Sequence, residues 1–103
     1  MALNNHSYEL IAPKTATETV TFSLRKADLP ARLSASGLAG AEKVTVKTLE
    51  GQSGSVEIAP YKDGAAIEIV ATDPVILLEA PGPYKLTKSA TAGASGVYLA
   101  KAG

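Results

Sequence analysis

Apolar and polar side chains alternate along most of this chain, and a period of two puts one face of an extended segment into a core and the other into water. Val20, Phe22 and Leu24 alternate with Thr19, Thr21 and Ser23, and Val44 and Val46 alternate with Lys43, Thr45 and Lys47. Val56 and Ile58 flank Glu57, Ile67 and Ile69 flank Glu68, and Val97 and Leu99 flank Tyr98. Tyr84 and Leu86 continue the pattern against Lys85 and Thr87. Tyr8 and Leu10 around Glu9 suggest a first strand, which Pro13 ends or confines to a sheet edge. β-Branched residues dominate these positions and suit a pleated surface.

Val75-Ile76-Leu77-Leu78 breaks the alternation. Four consecutive apolar residues are satisfied where both faces are covered or where a strand bends between layers, so this segment is expected at the centre of a sheet. Turn signals separate the segments at short intervals: Glu50-Gly51, Ser53-Gly54, Asp63-Gly64, Asp73-Pro74, Pro81-Gly82-Pro83 and Ala92-Gly93. Asp63-Gly64 between alternating segments reads as a hairpin turn, because Gly accepts φ > 0 without a Cβ penalty. A short helix fits only residues 28–36, with Asp28 as cap, Pro30 in the first turn and Gly37 as terminator, and a loop with one helical turn fits equally. The expectation is an all-β chain: one antiparallel β-sandwich or barrel of about eight strands, with little helix.

The 103 residues form one domain, with residues 1–14 a candidate extended N-terminal arm. Ten basic and ten acidic side chains balance, so the excess positive charge that drives phosphate binding is missing and nucleic acid is not an expected partner. The absence of cysteine rules out disulfides, thiolate nucleophiles and cysteine-bound metals. No apolar run approaches the roughly 20 residues of a membrane span, and residues 1–14 lack the basic and apolar regions of a signal peptide. Charge is unevenly placed: residues 57–79 hold five acids and one lysine, whereas residues 80–103 hold Lys85, Lys88 and Lys101 and no acid. Cross-strand ion pairing on a solvent face is the expected use of that asymmetry.

Catalytic and cofactor patterns are hard to assemble. His6 is the single imidazole and lies in a polar N-terminal stretch. Asp63, Glu68, Asp73 and Glu79 match no calcium-loop spacing and read as turn and strand-face acids. G-x-x-G recurs at Gly37 to Gly40, Gly51 to Gly54 and Gly93 to Gly96, which favours turns over an RNA clamp. Asn5-His6-Ser7 formally matches a glycosylation acceptor. The reading is non-enzymatic, without cofactor or metal. Tyrosines supply contact area at low entropic cost; Tyr84 falls on the apolar phase of its strand and is expected in the core, and Tyr98 outward.

The stretch Pro81-Gly82-Pro83-Tyr84-Lys85-Leu86-Thr87-Lys88-Ser89-Ala90-Thr91-Ala92-Gly93-Ala94-Ser95-Gly96-Val97-Tyr98-Leu99 resembles the C-terminal end of small virion structural proteins of tailed bacteriophages. Upstream, Lys62-Asp63-Gly64-Ala65-Ala66-Ile67-Glu68-Ile69-Val70-Ala71-Thr72 is similar to their preceding hairpin, so the resemblance spans roughly residues 42 to 99. The family often carries a tryptophan before that hairpin, where Val56 or a neighbour stands here. The resemblance implies a capsid decoration (cement) protein on the virion's capsid exterior, made in the host cytoplasm. Its implied partner is the major capsid protein lattice, with self-association, as a homotrimer, at symmetric sites. Leu3 and Tyr8 in the arm and Tyr61 near a loop tip are the candidate protein-binding residues. A tail- or fibre-associated module recognising a host glycan or protein, or another minor head-tail component, is the alternative reading.

Overall fold

The computed structural model describes residues 7–51, 54, 56–59, 61, 62 and 65–102, with backbone alone for 61, 62, 65 and 66. Within them the strands are β1 (Tyr8–Lys14), β2 (Glu18–Leu24), β3 (Ala31–Ala35), β4 (Lys43–Glu50), β5 (Val56–Ile58), β6 (Tyr61–Lys62), β7 (Ala65–Ala66), β8 (Glu68–Val70), β9 (Val75–Leu78), β10 (Gly82–Lys88) and β11 (Ser95–Lys101). One sheet has four strands in the order β1-β11-β3-β9. The other has five: β2, β10 and β4 in order, with β5 and β8 both paired to the far side of β4. All pairings are antiparallel, and β6 and β7 make a separate two-stranded ladder. The chain is therefore an all-β sandwich, with nine strands in the two sheets among the described residues, in keeping with the expected eight or so.

The period-two pattern explains the core. Leu33 stands opposite Leu99 on one side and Ile76 on the other, while in the second sheet Leu86 stands opposite Val20 and Val46. Leu33, Leu86, Leu99, Val44, Val97 and Ile69 are sealed from solvent. Each such side chain contributes about 1.5–3 kcal/mol of hydrophobic stabilisation. Phe22 and Tyr84 stack with ring centroids 5.4 Å apart, and the Tyr84 hydroxyl donates to the Ala80 carbonyl at 2.6 Å. Burial, with a smaller effect of Glu50, pushes the Tyr84 phenol above its usual value.

Four expectations change. Residues 28–36 hold no helix: a 3-10 turn covers Lys26–Asp28, and Ala31–Ala35 is an inner strand paired on both sides, with Ala31 and Leu33 pointing inward. Buried Asp28 closes the turn, its carboxylate accepting from the Arg25 N–H at 2.9 Å and from the Arg25 guanidinium at 3.3 Å. Second, Val75–Leu78 is an edge strand rather than a central one: Leu78 is buried, but Val75 and Leu77 face outward at 46% and 43% exposure. Third, Val56 and Ile58 share the inward phase of Thr48 and Glu50 yet remain 51% and 48% exposed, because β5 lies beside the C-terminal half of β4 where the core row has ended. Fourth, the last G-x-x-G copy is not a turn, since Gly96 sits inside β11.

Other expectations are met. Pro13 lies in the edge strand β1, where the register is irregular. β6 and β7 pair antiparallel as Tyr61 with Ala66 and Lys62 with Ala65, and the Asp63-Gly64 turn expected between them lies outside the described residues.

Candidate binding surface

The two solvent faces of the sandwich differ in chemistry. On the five-stranded sheet, Thr19, Thr87, Thr45 and Glu68 form one row and Thr21, Lys85 and Lys47 the next. Lys43 pairs with Glu68 at 3.2 Å, and Lys85 pairs with Glu57 at 2.8 Å, the second of these joining the basic and acidic segments as the charge asymmetry suggested. The Lys85 hydrogen bond and its charge hold the Glu57 carboxyl below the usual carboxylate range, with Lys47 adding to the effect. Such exposed pairs contribute about 0–1 kcal/mol each, so they add little to the stability of the fold.

On the four-stranded sheet the corresponding row reads Glu9, Tyr98, Ser34 and Val75, and the next reads Ala100, Arg32 and Leu77. Tyr98 is half-buried, not free in solvent. Its ring lies along β11, and Gly96 makes the room: a Cβ there would come within 2.7 Å of the Tyr98 hydroxyl and 3.0 Å of the Ile11 carbonyl. One aromatic, two exposed aliphatics and one arginine thus replace the threonines and lysines of the opposite face.

At the end of the sandwich where β10 finishes, the polarity is inverted. Lys88 continues the inward phase of Tyr84 and Leu86 and has 0% exposure. Its ammonium donates to the Ala16 carbonyl at 2.9 Å, the Ser89 carbonyl at 3.0 Å and Thr91 Oγ1 at 3.2 Å, which uses all three of its donors. Thr91 Oγ1 passes the chain on by donating to the Gly93 carbonyl at 2.7 Å. Glu42 ties a third loop to this knot, accepting from the Ala39 and Ala92 N–H groups at 2.8 Å each. Those two backbone bonds, Ala92 first, hold its carboxyl below the usual range, and the Lys88 charge assists. Gly37, with φ 73°, allows the last close approach, since a Cβ there would fall 2.3 Å from the Ala94 carbonyl. Among the described buried side chains, Ser95 Oγ is left without a hydrogen-bond partner.

Of the residues picked from sequence, Tyr8 and Tyr61 fall in different sheets. Leu3, like His6, lies outside the described residues. Tyr8 opens β1, opposite Leu99 in register, and is 52% exposed. From Tyr8 onward the proposed arm is thus an edge strand of the sandwich. Tyr61 is in β6, in a different sheet that no strand pairing connects to Tyr8, and its side chain lies outside the description. Val75, Leu77, Val56 and Ile58 are exposed large apolar residues that sequence reasoning assigned to covered strands. Among the described residues no three of His, Cys, Asp and Glu cluster as a metal site, and no helix is long and apolar enough to cross a membrane.

No protein-family model matches the chain, and no curated protein sequence or solved structure matches it either.

Proposed function

We propose that this chain is a non-enzymatic virion structural protein, a capsid decoration or cement protein that binds the outer surface of an assembled phage head. The observation that carries the reading is the exposure of Tyr8, Val56, Ile58, Val75 and Leu77 on a domain whose core is otherwise sealed. Contiguous apolar surface left in water marks an interaction site, and Val75 with Leu77 and Val56 with Ile58 each set two such side chains next to one another on one face of a strand. The resemblance of residues 42–99 to small phage virion proteins supplies the kind of partner, and the threonine- and lysine-rich face supplies a side suited to solvent.

The mechanism is mass action. A ligand that binds the intact lattice and not its dissociated subunits stabilises the shell by RT ln(1 + [L]/Kd). Occupation of symmetry-related sites, by a trimer at threefold positions, multiplies modest single contacts. The residues before β1, Leu3 among them, contribute by laying an extended segment against the shell, and Tyr8 contributes as an exposed side chain at the start of the β1 edge.

Undecorated shells mixed with the purified chain test this. Saturable co-sedimentation at a fixed number of copies per capsomer, with shells that withstand higher temperature, is the expected result. Absence of the polypeptide from purified native particles overturns the reading.

A further inference from the structure

Among the described residues β9 ends its sheet, and its ladder runs to β3. In an antiparallel ladder, pairs that exchange both backbone bonds alternate with pairs whose N–H and C=O point away from each other. The Ala35 N–H donates to the Pro74 carbonyl at 3.0 Å. By alternation Leu33 with Ile76 and Ala31 with Leu78 are bonded pairs, whereas Ser34 with Val75 and Arg32 with Leu77 are not. Val75 and Leu77 therefore turn their backbone donors and acceptors to the open edge, and they are also the two residues whose side chains stand exposed on the outer face.

Sheets guard open edges with proline, charge or irregular register. The opposite edge of the same sheet does so: β1 contains Glu9, Pro13, Lys14 and two register shifts. β9 contains none of these in its four residues. Just beyond its ends stand Asp73 and Glu79, both exposed and without an ion-pair partner among the described residues. They are separated along extended chain by about 20 Å.

We propose that the β9 edge receives an extended segment of a partner protein as a fifth strand of this sheet. The segment carries β-branched or aliphatic side chains at alternate positions, over Val75 and Leu77, and lysine or arginine at both ends, against Asp73 and Glu79. Backbone bonds supply affinity in this mode and the flanking side chains supply selectivity. The charges also select against a second copy, because β9 paired antiparallel with its twofold mate brings Asp73 of one protomer toward Glu79 of the other. The inference goes beyond the capsid reading, since it specifies a strand chemistry whatever protein supplies the strand.

The test uses the full chain, isotope-labelled for amide NMR, and three capped seven-residue peptides. The first alternates valine and threonine between terminal lysines, the second has terminal glutamates, and the third is the lysine peptide N-methylated at alternate amides. The expected result is saturable shifts at the Val75 and Leu77 amides with the lysine peptide and none with the methylated one. Two exposed charge pairs make the glutamate peptide about fivefold weaker. Asp73→Lys with Glu79→Lys, both at exposed positions, reverses the order of the two peptides. Shifts confined to other strands, or equal binding of both peptides, overturn the proposal. So does a free chain that sediments as a dimer and becomes monomeric on Leu77→Lys, which assigns the edge to a second copy. Shell binding is scored separately, so failure of the peptides and failure of the capsid reading are distinct results.

Discussion

The knot around Lys88 and the open edge at β9 are opposite inversions of the usual rule for residues inside and outside. At the knot a charged side chain is buried, and three neutral oxygens from two loops satisfy it. At the edge two aliphatic side chains and their backbone groups face outward with no partner among the described residues. The first inversion is resolved within the molecule and serves closure of the fold. The second is unresolved among the described residues, which is why it points to a partner.

The largest expected effect tests the knot. Lys88→Met fills the volume but strands the Ala16 and Ser89 carbonyls, and a loss of about 3 kcal/mol in urea unfolding is expected, since each buried acceptor left unmade costs about 1–3 kcal/mol. A variant as stable as the parent means that the buried charge costs as much as its bonds return.

A smaller effect is visible in acid. The Glu42 carboxyl is held low in the folded state, so the unfolded chain binds the proton more readily. Its contribution is complete above the usual carboxylate range and fades as pH falls through the lowered value. Glu42→Gln should flatten the acid side of the stability profile below about pH 4, and an unchanged slope removes Glu42 from the knot.

The smallest effect is expected at the edge. Val75→Thr with Leu77→Thr should change unfolding free energy by no more than about 0.5 kcal/mol per site, as for other exposed positions. The same pair should weaken binding to shells. Marked destabilisation shows instead that these side chains hold the fold.

Much of this architecture was legible because alternation is a local signal. Phe22, Leu24, Val44, Val46, Leu86, Val97 and Leu99 are inward where the period places them. β3 was not legible: Asp28, Pro30 and Gly37 mimic the punctuation of a helix, and strands on both flanks override it. Val75–Leu78 misled for a different reason. An unbroken apolar run declares two apolar faces but not whether the second is covered by the same chain. Lys88 carried a signal in plain view, two residues beyond Leu86 on the same phase, and was read by charge instead of by position. The free backbone groups of Val75 and Leu77 depend on which pairs in a ladder are bonded, and no residue type announces that.

The forked pairing of β4 has a consequence of another kind. The chain leaves β4's side at Ile58, opposite Thr48, and comes back to it at Glu68, opposite Thr45. Those two attachment points are about 10 Å apart along one strand. Everything between them is an excursion that begins and ends on the same support. Lengthening it costs only about 0.6 kcal/mol per doubling of the loop. The hairpin region is therefore a natural splice point for displaying a foreign peptide, with the packed interior indifferent to what is grafted.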